Sequence, residues 1–215
     1  MRSDLRVKEA NNGDLEVLLD LYTEFYSELR SRQGLRPRSR EEYRGEVESY
    51  LSRDKIFLAE TSSGKPIGFI RVSTREGCYW FEELYVKPEH RGKGVGRMLV
   101  ERAEEYVKRH DPYVYIMVLP QDRRALGFWL HMGYKLLNTI ELAKNLEEGD
   151  EEETRPIPLL NHILEMYKWE REEYTRLEGR FLELVERYLE EGGDGEQLLR
   201  IFVEALEAHL KKTIS

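Results

Sequence analysis

Apolar residues recur along residues 5–146 with two different periods, and these periods predict the secondary structure. Runs that are rich in β-branched and aromatic residues predict strands at 5–8, 56–61, 67–74, 79–86, 113–118 and 134–146. Apolar positions three and four apart, together with capping residues, predict helices at 15–30, 41–52, 98–110 and 123–132. The order β-α-α-β-β-β-α-β-α-β predicts an α+β domain with a mixed sheet over residues 1–146.

The pattern changes after residue 146. Residues 147–153 are almost all acidic, so we predict an acidic linker over 147–155. From residue 156 to 191 the chain is predicted to be helical, and large apolar residues recur every seven positions: Leu160, Tyr167, Tyr174, Phe181 and Tyr188. Glycines at 192–195 end this helix, and a second apolar stripe predicts another helix over 196–212.

We therefore expect a helical hairpin over 156–215. Two helices alone bury a small core, so their apolar stripe should cover another surface. That surface is the preceding domain, a second copy of the chain or another docking partner. We favour a homodimer because twofold dimers are the commonest soluble oligomers.

The composition argues against several classes of protein. The net charge of the 215 residues is −8, and residues 147–215, with 9 basic and 19 acidic side chains, account for the acidity. Neither part has the basic excess of a nucleic-acid-binding protein, and no apolar run is long enough to span a membrane. With Cys78 as the only cysteine and no apolar leader, we expect a cytoplasmic protein without disulfides. The histidines are widely spaced, so no metal site is expected.

A glycine-rich segment separates the strand at 79–86 from the helix that follows. Gly92, Gly94 and Gly96 occupy alternate positions, and glycine allows tight turns and close approach of a ligand to the backbone. Amides at the start of a helix, with the positive end of the helix dipole, favour a phosphate group. Lys93 and Arg97 add positive charge. The segment lacks the Gly-Lys-Ser/Thr ending of a P-loop and the spacing of a Rossmann loop.

The run Arg91-x-x-Gly94-x-Gly96 resembles the acetyl-coenzyme A signature of the GNAT acyltransferases. The preceding Leu84-Tyr85-Val86-x-Pro88 and the following Met98-Leu99 also fit. The resemblance implies a mostly antiparallel sheet flanked by helices, with acetyl-CoA lying between the strand at 79–86 and the strand at 113. It also implies that the cofactor contacts Leu84, Tyr85, Val86, Arg91, Gly92, Lys93, Gly94, Val95, Gly96, Arg97, Asp122 and Trp129.

Two adjacent acids are the candidate catalytic residues. Acetyl transfer to an amine needs a general base that removes the amine proton. Glu82 and Glu83 precede Leu84, and adjacent strand residues point to opposite faces unless a bulge re-aims one of them. The resemblance to the family's polyamine acetyltransferases implies Glu82 as the base. The alternative is that both are ordinary solvated or ion-paired acids.

The general acid is not carried over by the resemblance. The family pattern Asn-x-x-Ala-x-x-Phe-Tyr matches this chain with Asp122 at the Asn and Trp129 at the Tyr. An indole N–H donates a hydrogen bond but is not a proton source. Tyr85, Tyr115, His131 or water remain as alternatives.

Arginines crowd residues 30–44. Arginine binds carboxylate and phosphate groups well, so one interpretation is a site for an acceptor with an acidic group. The interpretation that we favour is a solvated basic loop.

The sequence predicts an N-acetyltransferase that moves an acetyl group from acetyl-CoA to a primary amine of an unidentified acceptor. The alternative is a CoA-binding regulatory or interaction protein with little or no catalysis.

Overall fold

The structure is a computed structural model that describes residues 5–144, 154–167, 185, 188–189 and 192–201. The strands are β1 (Leu5–Glu9), β2 (Lys55–Thr61), β3 (Pro66–Arg75), β4 (Cys78–Val86), β5 (Tyr115–Ile116), β6 (Thr154–Leu159) and β7 (His162–Tyr167). The helices are α1 (Leu15–Arg32), α2 (Arg40–Arg53), α3 (Val95–Val107) and α4 (Arg123–His131).

Strands β1 to β5 form one sheet in the order of the chain. The first four strands pair antiparallel, and β5 pairs parallel to β4. A mixed, mostly antiparallel sheet with flanking helices confirms the α+β class that the sequence predicts.

Helices cover both faces of this sheet. One face packs against α3 and α4 around Phe57, Phe81 and Leu99, and the other packs against α1 and α2 around Tyr22 and Phe69. The side chains of β2 and β3 are therefore buried on both faces, which explains their nearly continuous apolar runs.

A bulge in β4 changes which side chains face α1 and α2. Ile70 pairs with Leu84 and Val72 pairs with Phe81, so Arg71 alone lies opposite both Glu82 and Glu83. Two residues opposite one is the arrangement of a β-bulge, which shifts the alternation of the strand by one position. Both carboxylates consequently contact the same row of β3 side chains.

The pairing of β4 with β5 is short. It covers Trp80 with Tyr115 and Phe81 with Ile116, and ends there. The last five residues of β4 therefore have no partner on the β5 side among the described residues. This is the separation of two strands that the family resemblance implies for the cofactor.

The predicted final strand over 134–146 is wrong for the part that the structure describes. Residues 134–144 form neither helix nor strand, and 145–146 lie outside the described residues. A strand needs a neighbour for its backbone hydrogen bonds, and β5 offers only two residues. The sequence pattern shows strand propensity but not whether a partner is present.

The predicted helix from residue 156 is also wrong over 156–167. Here β6 and β7 form an antiparallel hairpin, and its turn is made by Leu160 (φ 48°) and Asn161 (φ 64°). Two successive positive φ angles are typical of a tight hairpin turn. Pro156 and Pro158 explain the difference, because proline interrupts a helix interior but is tolerated in a two-stranded edge. Thr154 and Arg155, predicted as linker, begin β6.

The chain divides into two compact units, Met1–Arg171 and Glu172–Ser215. The hairpin belongs to the first unit, where the Gln121 side-chain amide donates to the Tyr167 carbonyl at 3.0 Å. In the second unit, residues 195–201 are helical, which overlaps the predicted helix over 196–212. Residues 147–153, Tyr174 and Phe181 lie outside the described residues. No helix in the described part of the chain is long and apolar enough to cross a membrane.

Candidate functional site

The glycine segment forms the connection from β4 to α3. Gly92 (φ 72°) and Gly94 (φ 86°) both lie in the left-handed region, where a side chain would be strained. Gly94 is the residue before the first turn of α3, and its carbonyl accepts the first helical hydrogen bond, from the Met98 amide at 3.1 Å. The preceding amides of that turn have no carbonyl within the helix, so they are free to bind an anion.

Three basic side chains surround this connection in different ways. Arg91 donates to the Val86 carbonyl at 2.7 Å and forms two hydrogen bonds with the Glu28 carboxylate, at 2.6 and 3.0 Å. Lys93 donates to the Glu89 carbonyl at 2.8 Å, and Arg97 lies 3.0 Å from the His131 ring. Arg91 therefore ties the connection to α1, whereas the half-buried Arg97 and its exposed neighbour His131 lie beside the start of α3.

Three further residues predicted to contact the cofactor lie in packing or capping positions. A Cβ on Gly96 would lie 3.4 Å from the Phe128 ring, so this glycine lets α3 approach α4 closely. Asp122 caps α4 by accepting from the Ala125 amide at 2.8 Å, and also pairs with Arg32. Trp129 is buried against Phe81 and Tyr134.

Glu83 belongs to a buried ion-pair network beneath α1 and α2. Its carboxylate accepts from Arg71 Nε at 2.5 Å and Nη2 at 2.9 Å, and from the Tyr26 hydroxyl at 3.0 Å. Arg71 also pairs with Asp54 at 2.5 Å and lies 3.9 Å from the centre of the Tyr50 ring. The side chains of Asp54, Arg71 and Glu83 are 2%, 7% and 6% exposed.

Electrostatics keep the guanidinium of Arg71 charged within this network. Burial alone would lower the pKa of the Arg71 guanidinium, but the contacts with Glu83 and Asp54 raise it above its usual value. Burial, and then the nearby Glu83 carboxylate, raise the pKa of the Tyr26 hydroxyl, which therefore stays protonated and donates. With both oxygens engaged, Glu83 holds the bulge in place.

Glu82 lies on the same face but at the edge of a cavity. Its carboxylate accepts from Ser73 Oγ and from Arg75, whose Nε lies 2.6 Å from Oε1. The Arg75 guanidinium lies 5.2 Å from the centre of the Trp80 ring. An open cavity of about 340 Å³ is lined here by side chains of α2, β3 and β4, Glu82 included.

The candidate proton donors have different surroundings. The Tyr85 hydroxyl donates to Glu24 at 3.3 Å, and burial together with Glu24 and Glu28 raises its pKa, which makes it a weaker acid. His131 lies beside Arg97. Tyr115 contacts Trp80, with ring centres 5.2 Å apart, at the point where β4 and β5 separate. Tyr115 therefore lies on the same face of the sheet as Glu82.

The arginines at residues 30–44 are largely paired. Arg40 and Arg44 pair with Glu16, Arg30 donates to the Arg36 carbonyl, and Arg38 pairs with Glu46. The hydrogen bonds from Arg44 and Arg40 lower the pKa of the Glu16 carboxyl to about 2, because burial opposes them only weakly. These contacts agree with the solvated basic loop that the sequence analysis favours.

Sequence reasoning missed the partners of the two acids, Arg71, Ser73 and Arg75. A signal for them is present, since these residues alternate along β3 and point to one face. A second signal is the three-residue separation of Phe81 and Leu84, which breaks the alternation of β4 at the two acids.

Comparisons with known proteins agree on one family. The model described as the acetyltransferase (GNAT) family matches residues 15–134. The chain is 31% identical over 124 residues to the peptidyl-lysine N-acetyltransferase YjaB of Escherichia coli strain K12, covering 56% of this chain and 74% of that protein. An uncharacterized N-acetyltransferase of Archaeoglobus fulgidus is 32% identical over 139 residues, which cover 58% of this chain and 89% of the relative.

Solved structures share the fold at lower identity. The aminoglycoside N-acetyltransferase AAC(6')-Iy in complex with CoA aligns with a TM-score of 0.55 and 16% identity, over 66% of this chain and 95% of that chain. The PaiA N-acetyltransferase of Thermoplasma acidophilum in complex with coenzyme A aligns with a TM-score of 0.52 and 21% identity, over 63% of this chain and 92% of that chain.

Proposed function

The chain belongs to the GNAT family of acetyltransferases, and we propose that it acetylates a primary amine next to Glu82 while the connection at 92–97 holds the pyrophosphate of acetyl-CoA. It is an acyl-CoA-dependent N-acetyltransferase, with acetyl-CoA as its co-substrate. What we propose is which residues carry out the reaction. The observation that supports them is that β4 leaves β5 directly after Phe81, where Glu82 borders an open cavity.

The residues at 92–97 fit a phosphate group. Two glycines with positive φ turn the chain into α3, and the first-turn amides with the half-buried Arg97 supply donors and positive charge. Lys93 already donates to a carbonyl, so its contribution is a nearby charge rather than an unused donor. Arg91, Asp122 and Trp129 act on the cofactor indirectly, since they fix the connection and α4 to the rest of the domain.

Acetyl-CoA supplies a thioester whose carbonyl carbon accepts the amine, so that a C–N bond forms and the C–S bond breaks. Glu82 accepts the proton that the amine loses, and the departing thiolate receives a proton to give free CoA. Positioning of the two substrates accounts for much of the remaining barrier. Glu83 is a positioning residue in this scheme, because Arg71 and Tyr26 engage its carboxylate.

The test measures thiol release from acetyl-CoA with pooled amines, amino acids and peptides. A lysine side chain in a peptide is the first acceptor to examine, because relatives with about 30% identity are named peptidyl-lysine N-acetyltransferases. Glu82→Gln should lower kcat with little change in acetyl-CoA affinity, by a factor on the order of 10²–10⁴ for loss of a general base.

The matched control is Glu48→Gln, which changes an exposed acid on α2 and should keep full activity. Wild-type kcat in Glu82→Gln across the pH range would assign the base to another group or to water.

Two other predictions from the sequence belong to this proposal. We propose a homodimer whose interface includes the extension over 156–215, in a cytoplasmic protein. Light scattering of the full-length chain tests the assembly: a monomer at all concentrations contradicts it. Localisation by fractionation of cells tests the compartment.

A further inference from the structure

The cavity beside Glu82 exposes cations and buries anions. Arg53 and Arg75, which line it, have side chains that are 61% and 49% exposed. Their carboxylate partners, Asp54 and Glu82, are 2% and 9% exposed. A ligand that enters from solvent therefore meets guanidinium groups first, whereas the negative charges that balance them lie beneath.

Glu82 is engaged in the structure by the same groups. Arg75 contacts both oxygens of its carboxylate, and Ser73 Oγ donates to one of them. A general base must come within hydrogen-bonding reach of the proton that it accepts. These three donors occupy most of the acceptor positions of the carboxylate, so an amine gains room at Glu82 when Arg75 gives up one of its two contacts.

Arg75 is placed to change partners. It is the last residue of β3, directly before the turn at Glu76 (φ 49°) and Gly77 (φ 81°), and its guanidinium lies over the Trp80 ring. The ring supports the guanidinium from one side, and the planar group can bind a second carboxylate with two parallel hydrogen bonds. Arg71, in contrast, is buried and bound to Asp54 and Glu83.

We propose that the acceptor is an amine that also carries a carboxylate, and that Arg75 selects it by exchanging Glu82 for the carboxylate of the acceptor. The exchange leaves Glu82 bound to Ser73 and free to accept the amine proton, so that binding of the correct acceptor prepares the base. The inference rests on the function proposed above, because it assumes transfer to an amine at this cavity.

Two kinds of acceptor have an amine with a nearby carboxylate. One is a free amino-carboxylate compound, and the other is a lysine beside an acidic residue in a peptide. Two matched pairs of acceptors distinguish them. The first is Nα-acetyl-lysine against Nα-acetyl-lysinamide. The second is a capped Lys-Glu dipeptide against the capped Lys-Gln dipeptide. Within each pair the reacting amine is the same and only the carboxylate differs.

For the wild-type protein, kcat/KM should be at least about tenfold higher for the carboxylate member of one pair, as expected for a charge-assisted bidentate contact. Arg75→Gln should reduce this ratio to near unity, because no guanidinium is then left beside Glu82 to bind the carboxylate of the acceptor. Arg102→Gln, which changes an arginine paired with Glu105 on α3, should keep the wild-type ratio.

Equal kcat/KM within both pairs for the wild-type protein, or an unchanged ratio in Arg75→Gln, would overturn the proposal. Acetyl-CoA affinity of Arg75→Gln by calorimetry should match that of the wild type, which shows that the variant is folded and excludes misfolding as the cause. If the wild-type protein releases no thiol with any amine, the function proposed above fails and this inference fails with it. Activity without discrimination refutes the carboxylate selectivity alone.

Discussion

Replacement of Arg71 by methionine tests the buried network under the bulge. Arg71 is the only described cation in contact with Glu83, and its removal leaves that carboxylate with the Tyr26 hydroxyl as its described hydrogen-bond partner. Asp54 keeps its contact with Arg53 at 3.1 Å. Arg71→Met therefore places one uncompensated negative charge in an interior where the side chain of Glu83 is 6% exposed.

Breaking a buried pair by removal of one partner costs about 3–5 kcal/mol, because the remaining charge loses solvation without a compensating partner. For a chain of this size, 1 kcal/mol changes the unfolding temperature by roughly 2–4 °C. We therefore expect Arg71→Met to lower the unfolding temperature by roughly 6–20 °C.

The assay is thermal unfolding followed by circular dichroism, with two companion variants. The double variant Arg71→Met/Glu83→Met removes both charges and should unfold well above Arg71→Met, since an apolar replacement of a whole buried pair is often neutral. The control Arg102→Met changes a partly exposed pair and should cost about 0–1 kcal/mol.

An unfolding temperature for Arg71→Met within a few degrees of the control would refute the reasoning, because it would mean that the Glu83 carboxylate is solvated. A double variant as unstable as the single variant would show that Arg71 acts through packing against Tyr50 rather than through charge.

Three further predictions concern the connection, the sheet and the exposed ion pairs. Gly94→Ala should lower acetyl-CoA affinity measured by calorimetry, since φ is 86° and a left-handed backbone costs a side chain about 1–2 kcal/mol; unchanged affinity would contradict the role of the connection. Gly68→Ala should lower the unfolding temperature, because its Cβ would overlap the Tyr85 carbonyl oxygen and force β3 from β4; a wild-type unfolding temperature would mean that the strands adjust freely. Glu16, whose pKa falls from 4.5 to about 2 on folding, stabilises the fold above pH 4.5 and loses this contribution as the pH falls towards 2. Glu16→Gln should therefore unfold at a lower temperature than the wild type above pH 4.5, and this difference should shrink as the pH falls towards 2. A difference that stays constant over this range would argue against the ion pairs.

The elements of residues 5–132 could be predicted because their signals are local. The helix at 15–32 and the strands at 55–61 and 66–75 each bury apolar side chains. The spacing of these apolar residues along the chain indicates whether the segment is a helix or a strand. The glycine connection is local as well, because the positive φ angles of Gly92 and Gly94 favour glycine. The motif that identified the family therefore consists of neighbouring residues.

The chemistry around the two acids was decided by tertiary structure. The sequence shows Glu82 and Glu83 side by side, but only the register of β4 against β3 turns both towards Arg71, Ser73 and Arg75. Which acid is held by a buried arginine and which borders a cavity depends on contacts between strands, and no periodicity within one strand contains them.

The same reason explains the two wrong elements. Residues 134–144 have an apolar pattern suited to a strand, yet a strand forms only where a neighbour supplies hydrogen bonds. Over 156–167 the seven-residue spacing predicted a helix, although Pro156 and Pro158 favoured extended backbone and a partner strand follows after a two-residue turn. The sequence alone determined the family and the glycine connection between β4 and α3, because both depend on neighbouring residues. The tertiary structure decided the partners of Glu82 and Glu83, because pairing between distant segments sets which side chains meet.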